Sequence, residues 1–137
     1  TTEYNSWGEV SQRVDFEGNA TSYQYDGLGR QTMMTNPDGS SRSISYDGAS
    51  SVPGYPTGWT GFDFVHKTTF TDETDGSTIE YKDALGQTRL LSMKGDSVNR
   101  DTFMDYTAHG HRSTIRNPKG ADISMIHKWN VAFFDAK

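Results

Sequence analysis

The chain has 137 residues and a net charge of −5, and its composition lies between that of a packed domain and that of a disordered chain. Leu, Ile, Val and Phe make up only 22 residues, which is few for a two-layer core, whereas 12% of the residues are aromatic, which is high for a disordered chain. The lack of Cys excludes disulfide scaffolds and thiolate sites, the pI of about 5.2 argues against nucleic acid as main partner, and no apolar run is long enough for a membrane helix.

Short segments with period-two alternation follow one another along the chain. Tyr23 and Tyr25, for example, alternate with Ser22 and Gln24, which is a strand pattern. No stretch shows a sustained 3.6-residue period, so we expect almost no helix. Turns of 3–5 residues join antiparallel neighbours, and the sequence therefore predicts an all-β antiparallel meander of hairpins with strands of about 6 or 7 residues. The predicted strands are 9–15, 19–25, 30–35, 40–46, 65–72, 77–82, 87–93, 99–106, 111–116, 121–127 and 129–134.

A repeat of about 21 residues underlies these strands. Tyr4, Tyr25 and Tyr46 are evenly spaced by 21 residues, and a blurred copy begins at Tyr81. A Gly follows 4 residues and again 14 residues after Tyr4, Tyr25 and Tyr106. These glycines are Gly8 and Gly18, Gly29 and Gly39, and Gly110 and Gly120; in the blurred copy the first Gly is Gly86.

Two turns are predicted to alternate within each repeat. The first is Asn36-Pro37-Asp38-Gly39, with a second copy at Asn117-Pro118-Lys119-Gly120, and both fit a type I turn followed by a positive φ at Gly. The second is Asp26-Gly27-Leu28-Gly29. Asp is favoured in turns because its side chain bonds the nearby backbone, so we interpret the scattered Asp residues as turn residues and not as paired catalytic carboxylates.

The segment 48–64 interrupts the repeat. It is rich in Pro and Gly, which excludes a central strand, and it also contains several aromatic residues. We therefore predict a single repeat region spanning residues 1–137. Its repeats cover about 1–47 and 65–137, and the irregular insertion 48–64 packs against the sheet.

The motif Tyr25-Asp26-Gly27-Leu28-Gly29-Arg30, followed by the Asn36 turn and by Tyr46-Asp47-Gly48, resembles the YD repeat of the Rhs family. The resemblance implies that many such repeats form a sheet that spirals into a hollow shell, which in bacterial members encloses a toxic C-terminal region. Arg30 is replaced by Glu9, Gln87 and His111 in the weaker copies. The self-cleaving core motifs of the bacterial proteins are absent from this sequence, so the resemblance implies no protease activity for this chain.

The resemblance implies a structural role. We expect a segment of a larger exported bacterial toxin or surface protein, secreted or on the cell surface, that forms part of a β-shell around a toxic cargo. No leader of signal-peptide type opens this sequence. The expected partners are neighbouring repeats and the enclosed cargo, with a homodimer through unpaired strand edges or strand exchange. The residues expected to build the repeat are Tyr4, Gly8, Gly18, Tyr25, Asp26, Gly29, Arg30, Pro37, Gly39, Tyr46, Tyr81, Gly86, Tyr106, Gly110, Pro118 and Gly120.

Other chemistry has weaker support. His109 and His111 share a strand face and could bind a metal, but we interpret them as polar residues beside a turn and expect no metal and no cofactor. No nucleophile or phosphate-loop motif is present, so we expect no enzymatic activity. The alternative function is a carbohydrate-binding or adhesive surface module, for which Trp7, Tyr55 and Trp59 are the candidate sugar-stacking residues.

Overall fold

A computed structural model describes residues 1–61, 65–95, 99–119 and 122–124. Eleven strands make up a single sheet, and the described residues contain no helix. The strands are β1 (Thr2–Tyr4), β2 (Val10–Val14), β3 (Ala20–Tyr25), β4 (Gln31–Thr35), β5 (Ser41–Ala49), β6 (Val65–Thr71), β7 (Ser77–Asp83), β8 (Thr88–Lys94), β9 (Asn99–Tyr106), β10 (Arg112–Arg116) and β11 (Asp122–Ser124).

The sheet is an antiparallel meander, because each strand pairs with the next one in sequence from β1 to β11. The predicted all-β meander is therefore confirmed. Strand β1 was not predicted, since its three residues are too few to show alternation. Strand β5 continues to Ala49, two residues into the segment predicted as an insertion. The strand predicted at 129–134 lies outside the described residues.

The two faces of the sheet differ in their side chains. Cross-strand pairing places Tyr46, Thr68, Glu80 and Leu91 in one row, so these side chains share one face, called here the tyrosine face. The neighbouring row contains Lys67, Tyr81, Leu90 and Phe103 on the opposite face, called here the loop face. Tyr25 and Tyr106 also lie on the tyrosine face by alternation along β3 and β9.

The small core lies on the loop face and is completed by the connection between β5 and β6. Val52 from this connection is buried against Val65, Tyr81 and Leu90, and Tyr55 packs beside it. The connection thus packs against the sheet, as its aromatic residues predict. No residue of 1–49 is buried, so the first five strands have no core of their own.

Candidate functional site

One type of turn recurs at seven hairpins of the described chain. In the turn that begins at Asp26, the Asp26 amide donates to the Arg30 carbonyl (2.9 Å) and the Gly29 amide donates to the Asp26 carbonyl (3.0 Å). The Asp26 carboxylate also accepts hydrogen bonds from the amides of Leu28 and Arg30. The same two backbone bonds occur in the turns that begin at Asn5, Asp15, Asn36, Asp72, Asp83 and Thr107.

The fourth residue of each turn adopts a left-handed conformation. Gly39, for example, has φ of +85°, which costs an L-residue roughly 1–2 kcal/mol but costs glycine little. In the turn that begins at Asp72 this position is occupied by Asp75, with φ of +62°, and Gly76 follows it. Two turns that look different in sequence are therefore the same turn in structure.

Hydrogen bonds in these turns hold several carboxylates in their charged form. The pKa of Asp26 is lowered chiefly by the hydrogen bond from the Arg30 side chain, and that of Asp15 by the Asn19 side chain. The pKa values of Asp38 and Asp72 are likewise lowered, by hydrogen bonds from Ser40 and Thr74 respectively.

A β-bulge distinguishes one end of the sheet from the other. At the β1–β2, β3–β4, β7–β8 and β9–β10 hairpins, the pairing register shifts just after the turn, so one extra residue is inserted. The β2–β3, β4–β5 and β6–β7 hairpins pair without a shift. The alternation expected from sequence thus consists of a bulge at every second hairpin and not of a second turn type.

The bulged end is where three tyrosine hydroxyls bond to the backbone. Tyr25 donates to the Val10 carbonyl (2.9 Å), Tyr46 to the Gln31 carbonyl (3.3 Å) and Tyr106 to the Thr88 carbonyl (3.1 Å). Each accepting carbonyl belongs to the first residue of a strand that starts from a bulged turn. The tyrosine of one repeat therefore holds the turn of the preceding repeat.

Arg30 links a turn to the next tyrosine. Its Nε and Nη2 atoms bind Asp26 Oδ2 at 2.7 and 2.6 Å, and its guanidinium lies 4.1 Å from the centre of the Tyr46 ring. This is a salt bridge combined with a cation–π contact. The pairing of Asp26 with Arg30 explains why both residues belong to the best copies of the motif.

The remaining predicted repeat residues fall in several different environments. Tyr4 lies at the end of β1 and is exposed, and Pro37 and Pro118 are the second residues of their turns. Tyr81 lies on the loop face and is buried in the core, because its copy of the repeat is displaced by one residue relative to the turn at Asp83. Gly8, Gly18, Gly29, Gly39, Gly86 and Gly110 all have positive φ in turns, whereas Gly120 lies outside the described residues.

A buried ionic cluster was not found by sequence reasoning. Arg89 is 4% exposed and binds Asp83 through Nε (2.8 Å) and Nη2 (2.7 Å). Its Nη1 atom lies 3.2 Å from both Asp105 Oδ1 and the Tyr55 hydroxyl. Tyr55 in turn donates to the Met104 carbonyl (2.9 Å), so the cluster fastens the β5–β6 connection to β8 and β9.

Burial and ion pairing have opposite effects on the pKa of Arg89. Burial alone would lower the pKa of Arg89, but hydrogen bonds to Tyr55 and Asp83 raise it above its ordinary value. Burial raises the pKa of Tyr55. Arg89 therefore remains a cation and Tyr55 a neutral phenol, which is the arrangement of a structural staple. The signal in the sequence was the residue type of Arg89. It occupies the extra position of its β-bulge, and the same position in the other bulged hairpins holds Ser11, Thr32 or Ser113.

The candidate sugar-stacking residues do not form one platform. Trp7 is 87% exposed at the tip of the β1–β2 turn. Tyr55 packs edge-on against Trp59, with ring centres 5.6 Å apart, and against Phe103 at 6.2 Å. Trp59 also lies 5.4 Å from the Arg116 guanidinium. Trp7 is thus several strands away from the other two, and only its ring faces solvent fully.

The metal candidates lie at one turn. His109 is exposed at the tip of the β9–β10 turn, and His111 is its last residue. Within the described part of the chain, no three His, Asp or Glu side chains are grouped so that they could hold a metal ion. The described residues also contain no helix that is long and apolar enough to cross a membrane.

Residues 4–41 match the family model of the RHS repeat. This segment is therefore similar to an RHS repeat. It spans the turns that begin at Asn5, Asp15, Asp26 and Asn36, and so it contains two bulged and two plain hairpins. The RHS repeat is a structural repeat and occurs in exported or surface proteins. A comparison with curated proteins gave no match to the chain.

Proposed function

We propose that the chain is a wall segment of a larger exported bacterial toxin or surface protein, in which RHS repeats form a β-shell around a toxic cargo. The observation that carries this proposal is the combination of an RHS repeat at 4–41 with one open sheet that extends from β1 to β11. Such a sheet can be lengthened at either end by further repeats, because every hairpin adds the same unit.

The distribution of buried residues also supports a wall. The first five strands bury no residue, yet their tyrosine face presents Tyr23, Met34, Ile44 and Tyr46, all half-buried. A sheet with so little core gains stability by covering its faces and edges with adjoining structure. In the proposed shell, neighbouring repeats and the enclosed cargo supply that structure.

The hydrogen bonding of the charged side chains is also consistent with a structural role. The charged groups of the Arg89 cluster are engaged with one another or with backbone groups. Four turn carboxylates likewise accept hydrogen bonds from backbone amides, namely those of Asp15, Asp26, Asp38 and Asp72. Groups arranged in this way position backbone and are not poised for proton transfer. On the proposed assignment the segment has no catalytic role of its own.

Isolation of the native protein tests the proposal. An antibody raised against this chain would be used to purify the protein from cells that encode it, followed by mass measurement and electron cryomicroscopy. We expect a particle much larger than 15.3 kDa with a sheet wall around internal density. A native protein of about the size of this chain, or a large protein without an enclosed volume, would refute the proposal.

A carbohydrate-binding or adhesive module is the second candidate, and the exposed indole of Trp7 is the observation that favours it. Titration of the chain with glycans, followed by Trp fluorescence, would detect stacking on this ring. The variant W7S should lose the signal, whereas F16S, which removes an equally exposed ring at the other end of the sheet, should keep it. An unchanged fluorescence with every glycan would eliminate this candidate.

A further inference from the structure

The buried residues of the sheet all lie on one of its two faces. Within the described strands, every buried side chain belongs to the loop face, where the β5–β6 connection covers Val65, Tyr81 and Leu90. Tyr55 of the same connection contacts Phe103 on that face. The tyrosine face has no such cover within the described residues, and its side chains are half-buried or exposed.

Large apolar side chains form a continuous stripe on the tyrosine face. Ile44 pairs directly with Phe70, and the same row continues across β7 to Met93 on β8. Leu91 lies in the adjoining row, and directly paired residues have Cβ atoms about 5 Å apart. Met93 is 47% exposed, so the stripe is open to solvent. Further apolar pairs on this face are Tyr23 with Met34 and Met104 with Ile115.

Charged side chains are divided unequally between the two faces. In β1 to β10 the tyrosine face has five cations and one carboxylate, whereas the loop face has four cations and five carboxylates. Those of the tyrosine face are Arg13, Arg42, Lys82, Arg100 and Arg112, with Glu80. Those of the loop face are Lys67, Arg89, Lys94 and Arg116, with Glu3, Asp47, Asp83, Asp101 and Asp105.

Ion pairs neutralise only part of the charge on the tyrosine face. Those at this face join Arg42 to Glu73, Lys82 to Glu80 and Arg30 to Asp26. Arg13, Arg100 and Arg112 are exposed, and none of them forms an ion pair within the described residues. Glu9 accepts a hydrogen bond from the Asn5 side chain in its own turn. The face therefore has an excess of positive charge on a chain whose net charge is −5.

The acidic rim of the sheet restricts the occupant of this face to a narrow one. At the end opposite the bulges, the turns at 15–19, 36–40 and 72–76 contain six carboxylates, and Lys119 and the Thr1 ammonium offset two of these charges. A flat anionic membrane would meet this rim together with the face and would be repelled by it. A single polypeptide segment, about 10 Å wide, fits within the length of a seven-residue strand, which is about 23 Å.

A recess gives the tyrosine face depth as well as charge. It has a volume of about 370 Å³ and is lined by Arg30, Tyr46, His66, Lys67 and Thr68, among others. Tyr46, His66 and Thr68 belong to the tyrosine face by their pairing register, so the recess opens on this face. One side chain of a bound polypeptide can enter it, whereas a bilayer surface supplies no such projection.

We propose that the tyrosine face binds an acidic polypeptide segment that also carries apolar side chains. Its carboxylates contact Arg13 and Arg100, its apolar side chains lie on the stripe around Phe70 and Met93, and one side chain fills the recess beside Arg30. Arg13 and Arg100 lie seven strand spacings apart, about 34 Å, so the segment has at least about 10 extended residues. The proposal does not depend on the shell function, because it concerns only what this face binds.

Fluorescence anisotropy of a labelled peptide mixed with the full chain tests the proposal. The probe is a peptide of about 14 residues in which Glu and Leu alternate, which spans about 46 Å when extended. We expect saturable binding with a Kd of roughly 10–100 µM, weakened at least threefold when salt is raised from about 50 mM to about 500 mM. A peptide that alternates Glu and Ser should bind at least about tenfold more weakly, because it buries no apolar surface. Vesicles of phosphatidylcholine and phosphatidylserine should not cosediment with the chain.

Matched variants place the binding on the tyrosine face. R13S/R100S should weaken binding of the Glu/Leu peptide at least about fivefold, whereas K94S/K119S, which makes the same change in net charge outside this face, should leave it unchanged. M93S should weaken binding, and L85S, which removes an exposed apolar side chain from a turn, should not. All four variants should keep the wild-type circular dichroism, because the replaced side chains are exposed.

The same measurements include the results that would overturn the proposal. These are the absence of saturable binding of the Glu/Leu peptide, equal losses in R13S/R100S and K94S/K119S, or equal losses in M93S and L85S. Cosedimentation with the vesicles would show that the face binds an anionic membrane instead, and a rise in the mass of the chain alone that R13S/R100S abolishes would show that it binds a second copy.

Discussion

Replacement of Arg89 by Met should destabilise the chain more than any other single change of a charged residue in the sheet. Arg89 is 4% exposed and is paired with Asp83, which is 3% exposed, and with the Asp105 side chain, which is 13% exposed. Met fills similar space but removes the guanidinium. Two carboxylates would then remain in a water-poor environment without a cation.

The expected loss is about 3–5 kcal/mol in the free energy of unfolding, which is typical when one partner of a buried ion pair is removed. A domain of this size has a total stability of only about 5–15 kcal/mol. The variant should therefore unfold at a much lower urea concentration. R30M is the matched control, since Arg30 makes a similar contact with Asp26, but its side chain is 44% exposed. Solvent screens that pair, so R30M should shift the midpoint only slightly.

A double-mutant cycle isolates the interaction with Asp83. D83N keeps an oxygen that can accept the amides of Leu85 and Gln87 in the turn, as Asn5 does in its own turn. The combination R89M/D83N should recover part of the stability lost in R89M, because one unpaired charge is removed. Urea unfolding followed by circular dichroism measures all four chains. Equal losses for R89M and R30M, or no recovery in the double variant, would refute the assignment of the cluster as a staple.

Three further predictions concern the repeat itself. Y25F removes a hydroxyl that bonds a carbonyl on the preceding strand, so it should lower the free energy of unfolding by about 1 kcal/mol, whereas Y4F at the exposed edge should change it little. G39A should cost about 1 kcal/mol through its φ of +85° alone, since no atom lies within 4 Å of the new Cβ, and G27A in a neighbouring turn without positive φ should cost nothing. Hydrogen bonds lower the pKa of Asp26 below 3.8, so this carboxylate binds a proton more readily in the unfolded chain than in the folded one. The free energy of unfolding should therefore stay constant above about pH 5 and fall as the pH drops below about 4. D26N should reduce this fall when unfolding is measured over a series of pH values.

Much of the fold could be predicted because turns and strands are set by local chemistry. Gly at the left-handed position and Asn or Asp at the first position set most of the hairpins, as at Asn36 and Gly39, and period-two alternation then indicates the strands between them. These signals do not depend on distant contacts. The strand β1 was missed because three residues are too few to show alternation.

The parts of the site that could not be predicted from the sequence depend on the position of a residue relative to its turn, to within one residue, and on contacts between residues distant in sequence. Tyr81 looks like a repeat tyrosine, but it lies one position earlier relative to its turn, and a shift of one residue moves a side chain to the other face. Arg89 contacts Asp105 only because the β-bulge leaves it as the extra residue between Thr88 and Leu90, which both pair with β7. Asp83 looked like an ordinary turn residue because it is one, and its second role appears only in the folded sheet.

The central proposal is that residues 4–41, which match the RHS-repeat model, are part of a wall that relies on adjoining structure. Amide hydrogen exchange tests this proposal most directly. The core around Val65 should protect β6 to β9 in the isolated chain, while strands β1 to β5, which bury no residue, should exchange much faster. In the native protein the amides of β1 to β5 should become as protected as those of β6 to β9. Equal protection of both halves in the isolated chain, or no gain for β1 to β5 in the native protein, would contradict the account.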